Sequence, residues 1–148
     1  MTYQEIMEAA SSYVATESTN IDSANAVANL MRPLCQALSQ EVFFTITLDT
    51  KHNVIAIHET TRGLLDRSYV HAREVFRQAI IDNASRVVFC HNHPSGDPSP
   101  STADISSTKA LVAAGKIIGI EVLDHIIIGA KTDTRPKDYI SFKEENML

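Results

Sequence analysis

The sequence predicts an α/β (α+β) domain with a mixed, mostly antiparallel sheet flanked by helices. Apolar, β-branched runs of strand length, E-V-F-F-T-I-T-L at 41–48 and R-V-V-F-C-H at 86–91, alternate with segments of helical periodicity. Pro and Gly fall mostly between these runs, and no repeat or low-complexity tract interrupts them. With 148 residues, 44% of them hydrophobic, the chain suffices for one domain with a real core.

The elements follow in order. Residues 3–15 read as a first helix, acidic and amphipathic, with a polar break at 17–21. Asp22 is placed to cap a second helix that runs toward Ser39 and that Pro33 would bend. Strand 41–48, a turn at Lys51-His52-Asn53 and strand 54–58 make a hairpin. An irregular connection carrying Gly63 spans 61–70. A helix at 71–82 follows, with Val75, Phe76, Ala79 and Ile80 as its apolar stripe. The strand at 86–91 leads into a loop stiffened by Pro94, Pro98 and Pro100, then a helix from about Thr102 that stops near Gly115 or Gly119. A strand at 120–128 and a short one at 139–142 complete the chain. On this reading residues 1–40 are an N-terminal helical segment and 41–148 the domain that carries the chemistry.

Composition narrows the function. A net charge of −5 speaks against non-specific nucleic-acid binding as the main business, although five arginines (Arg62, Arg67, Arg73, Arg77, Arg86) gather in 62–86. Arg73 and Arg77, four apart, share a helix face and read as a solvated face with local ion pairs. No apolar run approaches 20 residues and the first residues carry no basic leader, so a cytoplasmic protein with no membrane association is expected. Cys35 and Cys90 read as buried thiols rather than a disulfide.

The segment C-H-N-H-P-S-G-D-P-S-P-S-T-A-D-I at 90–105 carries the chemistry. On a strand, residues two apart share a face, so His91 and His93 can aim at one ion while Cys90 and Asn92 point the other way. Asp104, at the start of the next helix, adds a carboxylate. Two imidazoles and a carboxylate are the ligand types of a catalytic zinc with an open position for water. Ser101 and Asp104 also match an N-cap with an acidic residue three positions on, and the two readings are compatible. A hydrolase of this kind needs a proton-moving group beside the ion. Glu41, Glu59, Glu74 and Glu121 lie near strand or helix ends. Glu41 is favoured because an antiparallel partner to the strand ending at His91 would start beside the metal. His58-Glu59-Thr60-Thr61-Arg62 lacks the second histidine of an H-E-x-x-H site and reads as strand and turn. Asp124-His125 reads as a structural pair, with steering of a ligand as the alternative. His71 reads as a helix-cap residue.

H-N-H-P-S-G-D-P-S-P-S-T-A-D resembles the signature of the JAMM (MPN, or JAB) metalloproteases, and its Pro-Ser-Gly-Asp filling is similar to the bacterial RadC-like branch. The resemblance covers residues 40–143 and includes Glu41-Val42-Phe43, Arg62-Gly63, Val70-His71 with Arg73-Glu74-Val75, and Leu123 to Gly129. It implies a cytidine-deaminase-like MPN/JAB fold, with Zn2+ held by His91, His93 and Asp104. Glu41 would be the general acid/base, and Ser101 would hydrogen-bond the oxyanion. The implied partner is an unidentified polypeptide cleaved at a peptide or isopeptide bond, and a homodimer is compatible with the chain. Longer relatives carry a helix-hairpin-helix region ahead of this domain. Here only about 40 residues, acidic in balance and with no G-x-G hairpin, precede the match, and the chain resembles a short stand-alone form. Ala72 stands where the branch often has proline, outside the metal signature. Two rival classes remain: a DNA-repair-associated nucleic-acid binder or metal-dependent nuclease, and a binding module that keeps a metal for stability alone.

Overall fold

The computed structural model describes residues 2–16, 19–63 and 70–148, with the side chains of 15 and 16 excepted. Helices α1 (Tyr3–Thr16) and α2 (Ala24–Gln36) precede strands β1 (Val42–Leu48) and β2 (Val54–Arg62). Helix α3 (Ala72–Ile81), strand β3 (Arg86–Asn92), helix α4 (Thr102–Ile118) and strands β4 (Glu121–Ile128) and β5 (Tyr139–Ser141) complete the fold. The sheet order is β2-β1-β3-β4-β5, antiparallel at every pair except β3-β4, which α4 joins as a parallel crossover. The mixed, largely antiparallel sheet flanked by helices is the predicted architecture.

Alternation along the central strands feeds two cores. Val42, Phe44, Ile46 and Leu48 of β1 join Val88 and Cys90 of β3 in a cluster with Val27, Met31, Leu34 and Cys35 of α2. Phe43, Val87 and Phe89 face the opposite way, against Val75, Phe76 and Ala79 of α3 and Leu111 of α4. Packing on both faces leaves every residue of β1 buried, Thr45 and Thr47 included, and none of them is charged. It also sets which way the histidines point. His91 continues the row of Val87 and Phe89 toward α4, whereas Cys90 packs on α2. Both cysteines are buried free thiols, as expected.

Several boundaries differ from the sequence reading. Ser23, not Asp22, caps α2: its backbone is extended and its Oγ accepts the Ala26 N–H at 3.2 Å. The helix ends at Gln36, short of Ser39, although Pro33 lies inside it. Strand β2 runs to Arg62, four residues past the expected end. Thr61 and Arg62 pair with Phe43 and Val42 of β1, beyond an irregularity at Phe43/Phe44 that leaves Thr60 out of register. His71 occupies the N-cap position of α3, where its carbonyl accepts the Glu74 and Val75 N–H groups. Gly119 closes α4 at φ 88°, a left-handed conformation that favours glycine. The centre of the connection read at 61–70, including Arg67, lies outside the described residues, as do Glu17 and Ser18 of the polar break. Among the described residues no helix is long and apolar enough to cross a membrane.

Candidate metal centre

Antiparallel pairing of β1 with β3 sets Phe43 opposite His91, so Glu41, just before β1, arrives at the end of β3 where the histidines emerge. The parallel return through α4 brings its first turn to the same sheet end. Four side chains converge there: Glu41, His91, His93 and Asp104 offer ligand atoms within 4.8 Å of one another. His91 Nε2 and His93 Nε2 are 3.1 Å apart. Asp104 places Oδ1 3.5 Å from the first and Oδ2 3.3 Å from the second. Glu41 Oε1 is 3.5 and 3.9 Å from the same two nitrogens.

These separations test whether a zinc ion fits. Four donors about 2.0–2.1 Å from a tetrahedral ion must be separated by roughly 3.3 Å. The two imidazole nitrogens are 3.1 Å apart, and Asp104 presents Oδ1 3.5 Å from one of them and Oδ2 3.3 Å from the other, each contact close to that length. The donor set fits. Burial separates the fourth group from these three: Glu41's side chain is 28% exposed, against 3%, 16% and 5% for His91, His93 and Asp104. It therefore stands on the open side of the cluster. A cavity of about 10 Å³, room for about one water, is lined by Glu41, Phe43, Val70, His91, Asp104, Ser107 and His125.

Electrostatics follow from the same packing. Burial raises the Glu41 carboxyl above its usual range, and the two imidazoles only partly offset this. Burial alone would also raise Asp104, but the adjoining His91 and His93 rings and the Ser101 N–H hold it well below the usual carboxylate range. For His93, burial works against the charged ring. Asp104 and the Asp97 carbonyl outweigh it, and the ring titrates above its ordinary value.

Ser101 and Asp104 form a reciprocal capping box on α4: Asp104 N–H donates to Ser101 Oγ at 3.0 Å, and Ser101 N–H to Asp104 Oδ2 at 2.9 Å. The capping reading of this pair holds, and the same Asp104 carboxylate also faces the imidazoles. His93 Nδ1–H donates to the Asp97 carbonyl at 2.8 Å, which leaves its Nε2 lone pair turned to the cluster. Arg135 fastens that loop by donating to the carbonyls of Gly96 and Ala130 at 2.9 and 3.1 Å. A Cβ on Gly129 would lie 2.1 Å from the Gly96 oxygen, so only glycine lets the loop seat against the end of β4.

Asn92 is a positioning residue that sequence reasoning passed over. Its Oδ1 accepts the Val42 N–H at 2.8 Å and its Nδ2 donates to the Gln40 carbonyl at 3.0 Å, clamping both peptide groups that flank Glu41. Asn92→Leu leaves the buried Val42 N–H without a partner and is expected to cost about 1–3 kcal/mol. Urea denaturation of the metal-free protein checks this, and a variant as stable as the parent would show the clamp to be idle.

The remaining candidates separate cleanly. Asp124 braces the chain end, accepting from Ser141 Oγ at 2.6 Å and Lys143 N–H at 3.0 Å, while its neighbour His125 reaches His91. The expected structural pair is thus split between two tasks. His58 bonds Asp82 at 2.6 Å, away from the cluster. Glu59 is engaged by Arg62 and by the Tyr3 hydroxyl. Glu74 lies with Arg73 and Arg77 beside a surface cavity of about 530 Å³, and Glu121 sits opposite Arg86, at the far end of the sheet. Of the clustered arginines, Arg62 holds Glu59 and Arg86 donates to the Thr50 carbonyl.

Comparison with known proteins agrees with the geometry. Residues 21–147 match the model of the RadC-like JAB domain. A UPF0758 protein of Alkaliphilus metalliredigens is 50% identical over 128 residues, 86% of this chain and 53% of its own length. One from Clostridium perfringens is 48% identical over 128 residues, covering 86% of this chain and 54% of the relative. One from Methanosarcina mazei is 41% identical over 144 residues, 97% of this chain and 60% of its own. The chain thus spans between half and three-fifths of the length of these relatives. Its His/His/Asp/Glu cluster is a JAMM-type, metalloenzyme-like site. With the family model matching most of the chain, the protein belongs to the RadC-like JAB domain family.

Proposed function

We propose that the chain is a zinc-dependent metallopeptidase-type hydrolase of peptide or isopeptide bonds. The observation that carries this is the convergence of two imidazoles and a buried carboxylate, with a more exposed carboxylate beside them, their ligand atoms within 4.8 Å of one another. His91, His93 and Asp104 would hold the ion, and residues 41–148 would carry the chemistry, with 1–40 packed behind. When bound, zinc supplies a Lewis acid and brings the pKa of coordinated water toward ~7. Glu41 takes the proton of the attacking water and returns it to the departing nitrogen. Its raised pKa brings it nearer to neutral pH, where a proton shuttle works best. A fourth protein ligand would close the site, so Glu41 is assigned as base rather than ligand. Ser101 Oγ spends a lone pair on the Asp104 N–H, leaving its own proton to donate to the oxyanion of the tetrahedral intermediate.

The test combines metal analysis with cleavage. Purified chain should carry one zinc per molecule and cleave members of a peptide and isopeptide library, and chelation should stop the cleavage. Zinc-loaded protein that cleaves no member would leave a metal-stabilised binding module instead. A salt-sensitive shift of labelled DNA without proteolysis would favour the nucleic-acid reading.

A further inference from the structure

We infer that His125 and Thr108 are positioning residues that decide which nitrogen of His91 carries its proton, presenting a bare Nε2 to the cluster. This rests on the zinc reading above and concerns how one ligand is prepared for it. A chain of buried hydrogen bonds, each with one proton to share, runs from α4 to His91. Thr108 Oγ1 donates to the Asp104 carbonyl at 2.8 Å. A carbonyl can only accept, so the single hydroxyl proton is committed. His125 Nδ1 lies 2.7 Å from the same Oγ1 and must therefore be the donor. The ring of His125 is 1% exposed and enclosed by Phe43, Phe89 and Phe142, at centroid distances of 5.4, 5.9 and 4.5 Å. Its two nitrogens meet a hydroxyl and another imidazole, so the ring is neutral and Nε2 is a lone pair. That lone pair sits 2.7 Å from His91 Nδ1 and fixes the proton there. His91 Nε2 is left bare, 3.1 Å from His93 Nε2.

The two ligand imidazoles are thus prepared in different ways. His93 finds a loop carbonyl four residues away, at Asp97. His91 Nδ1 points into the core, where the fold supplies a histidine from β4 and a threonine from α4 instead. Thr108 lies one helical turn beyond Asp104, so one hydroxyl couples the backbone of the aspartate ligand to the tautomer of a histidine ligand.

The test reads tautomers directly. Nitrogen-15 imidazole spectra of the metal-free full chain should show both His91 and His125 protonated at Nδ1. Thr108→Val should mix the His91 tautomers and weaken zinc binding, measured by competition with a chromophoric chelator, by roughly 10- to 100-fold. Thr108→Ser, which restores the hydroxyl, should recover both. A parent protein with His91 protonated at Nε2 would overturn the inference, as would a folded Thr108→Val chain with unchanged tautomers and unchanged zinc affinity. If Thr108→Val fails to fold, the parent and Thr108→Ser spectra still decide. The two readings fail separately: Nδ1–H on His91 in a chain that binds no zinc sinks the hydrolase, whereas tight zinc with the opposite tautomer sinks only the relay.

Discussion

Glu41→Gln is expected to keep the zinc and lower cleavage of a library-identified substrate by about 10²- to 10⁴-fold, the usual contribution of a positioned acid/base group. Glutamine has nearly the shape of glutamate and can still accept a hydrogen bond, but it cannot take a proton from water and hand it on. As the proposed base, Glu41 is not among the three proposed ligands, so metal content should be unchanged. Nor should folding suffer. Burial already disfavours the Glu41 charge, and the backbone around it is held by Asn92 and by the Gly63 N–H, which donates to the Glu41 carbonyl at 2.8 Å. Measuring kcat/KM together with zinc by elemental analysis separates the outcomes. Parent-like cleavage would remove Glu41 from the chemistry, and lost zinc would make it a ligand.

What could be read from the chain followed the range of the interactions involved. His91 and His93 were legible because strand periodicity is local: two residues on a buried strand share a face whatever that strand pairs with. Asp104 was legible for a similar reason, since a proline-rich turn followed by a capping sequence marks where a helix starts. Glu41 needed more, because its place depends on β1 lying antiparallel to β3 with Phe43 opposite His91, a register that nothing local in either strand sets. Asn92 was hidden by its own motif. Between two histidines it reads as a spacer, and only the return of residues 40–42 to the opposite face turns it into a clamp. Ser107 and Arg135 were missed likewise, one reaching the site cavity through the docking of α4, the other through a loop folding back on Gly96. Thr108 had a usable signal in its position four after Asp104, on the same helix face. The end of β2 was misplaced because the residues after His58 read as running into a turn, whereas Thr61 and Arg62 resume pairing with β1 beyond Thr60.

Asp104→Ala should empty the site. Asp104 supplies the only carboxylate in the three-donor set, so its loss should weaken zinc by more than the roughly 10- to 100-fold typical of losing an outer hydrogen-bond partner. The chain should then purify with little metal. Stability of the metal-free protein provides an independent check, because the same carboxylate caps α4. Losing the capping box costs about 0.5–2 kcal/mol. The pH dependence has a definite sign. The Asp104 carboxyl is held below its unfolded value of ~3.9, so the unfolded chain binds more protons in acid. The stabilisation from its charge is present above that pH and fades as pH falls through the lower folded value. Asp104 also raises His93, and that share is lost as pH rises through the folded His93 value, so metal-free Asp104→Ala should differ most from the parent in mildly acidic solution and least in strong acid, a comparison made by urea denaturation across pH. Full zinc occupancy in this variant would break the ligand set, whatever its stability: a site that fills equally well without its one buried anion is not built on it.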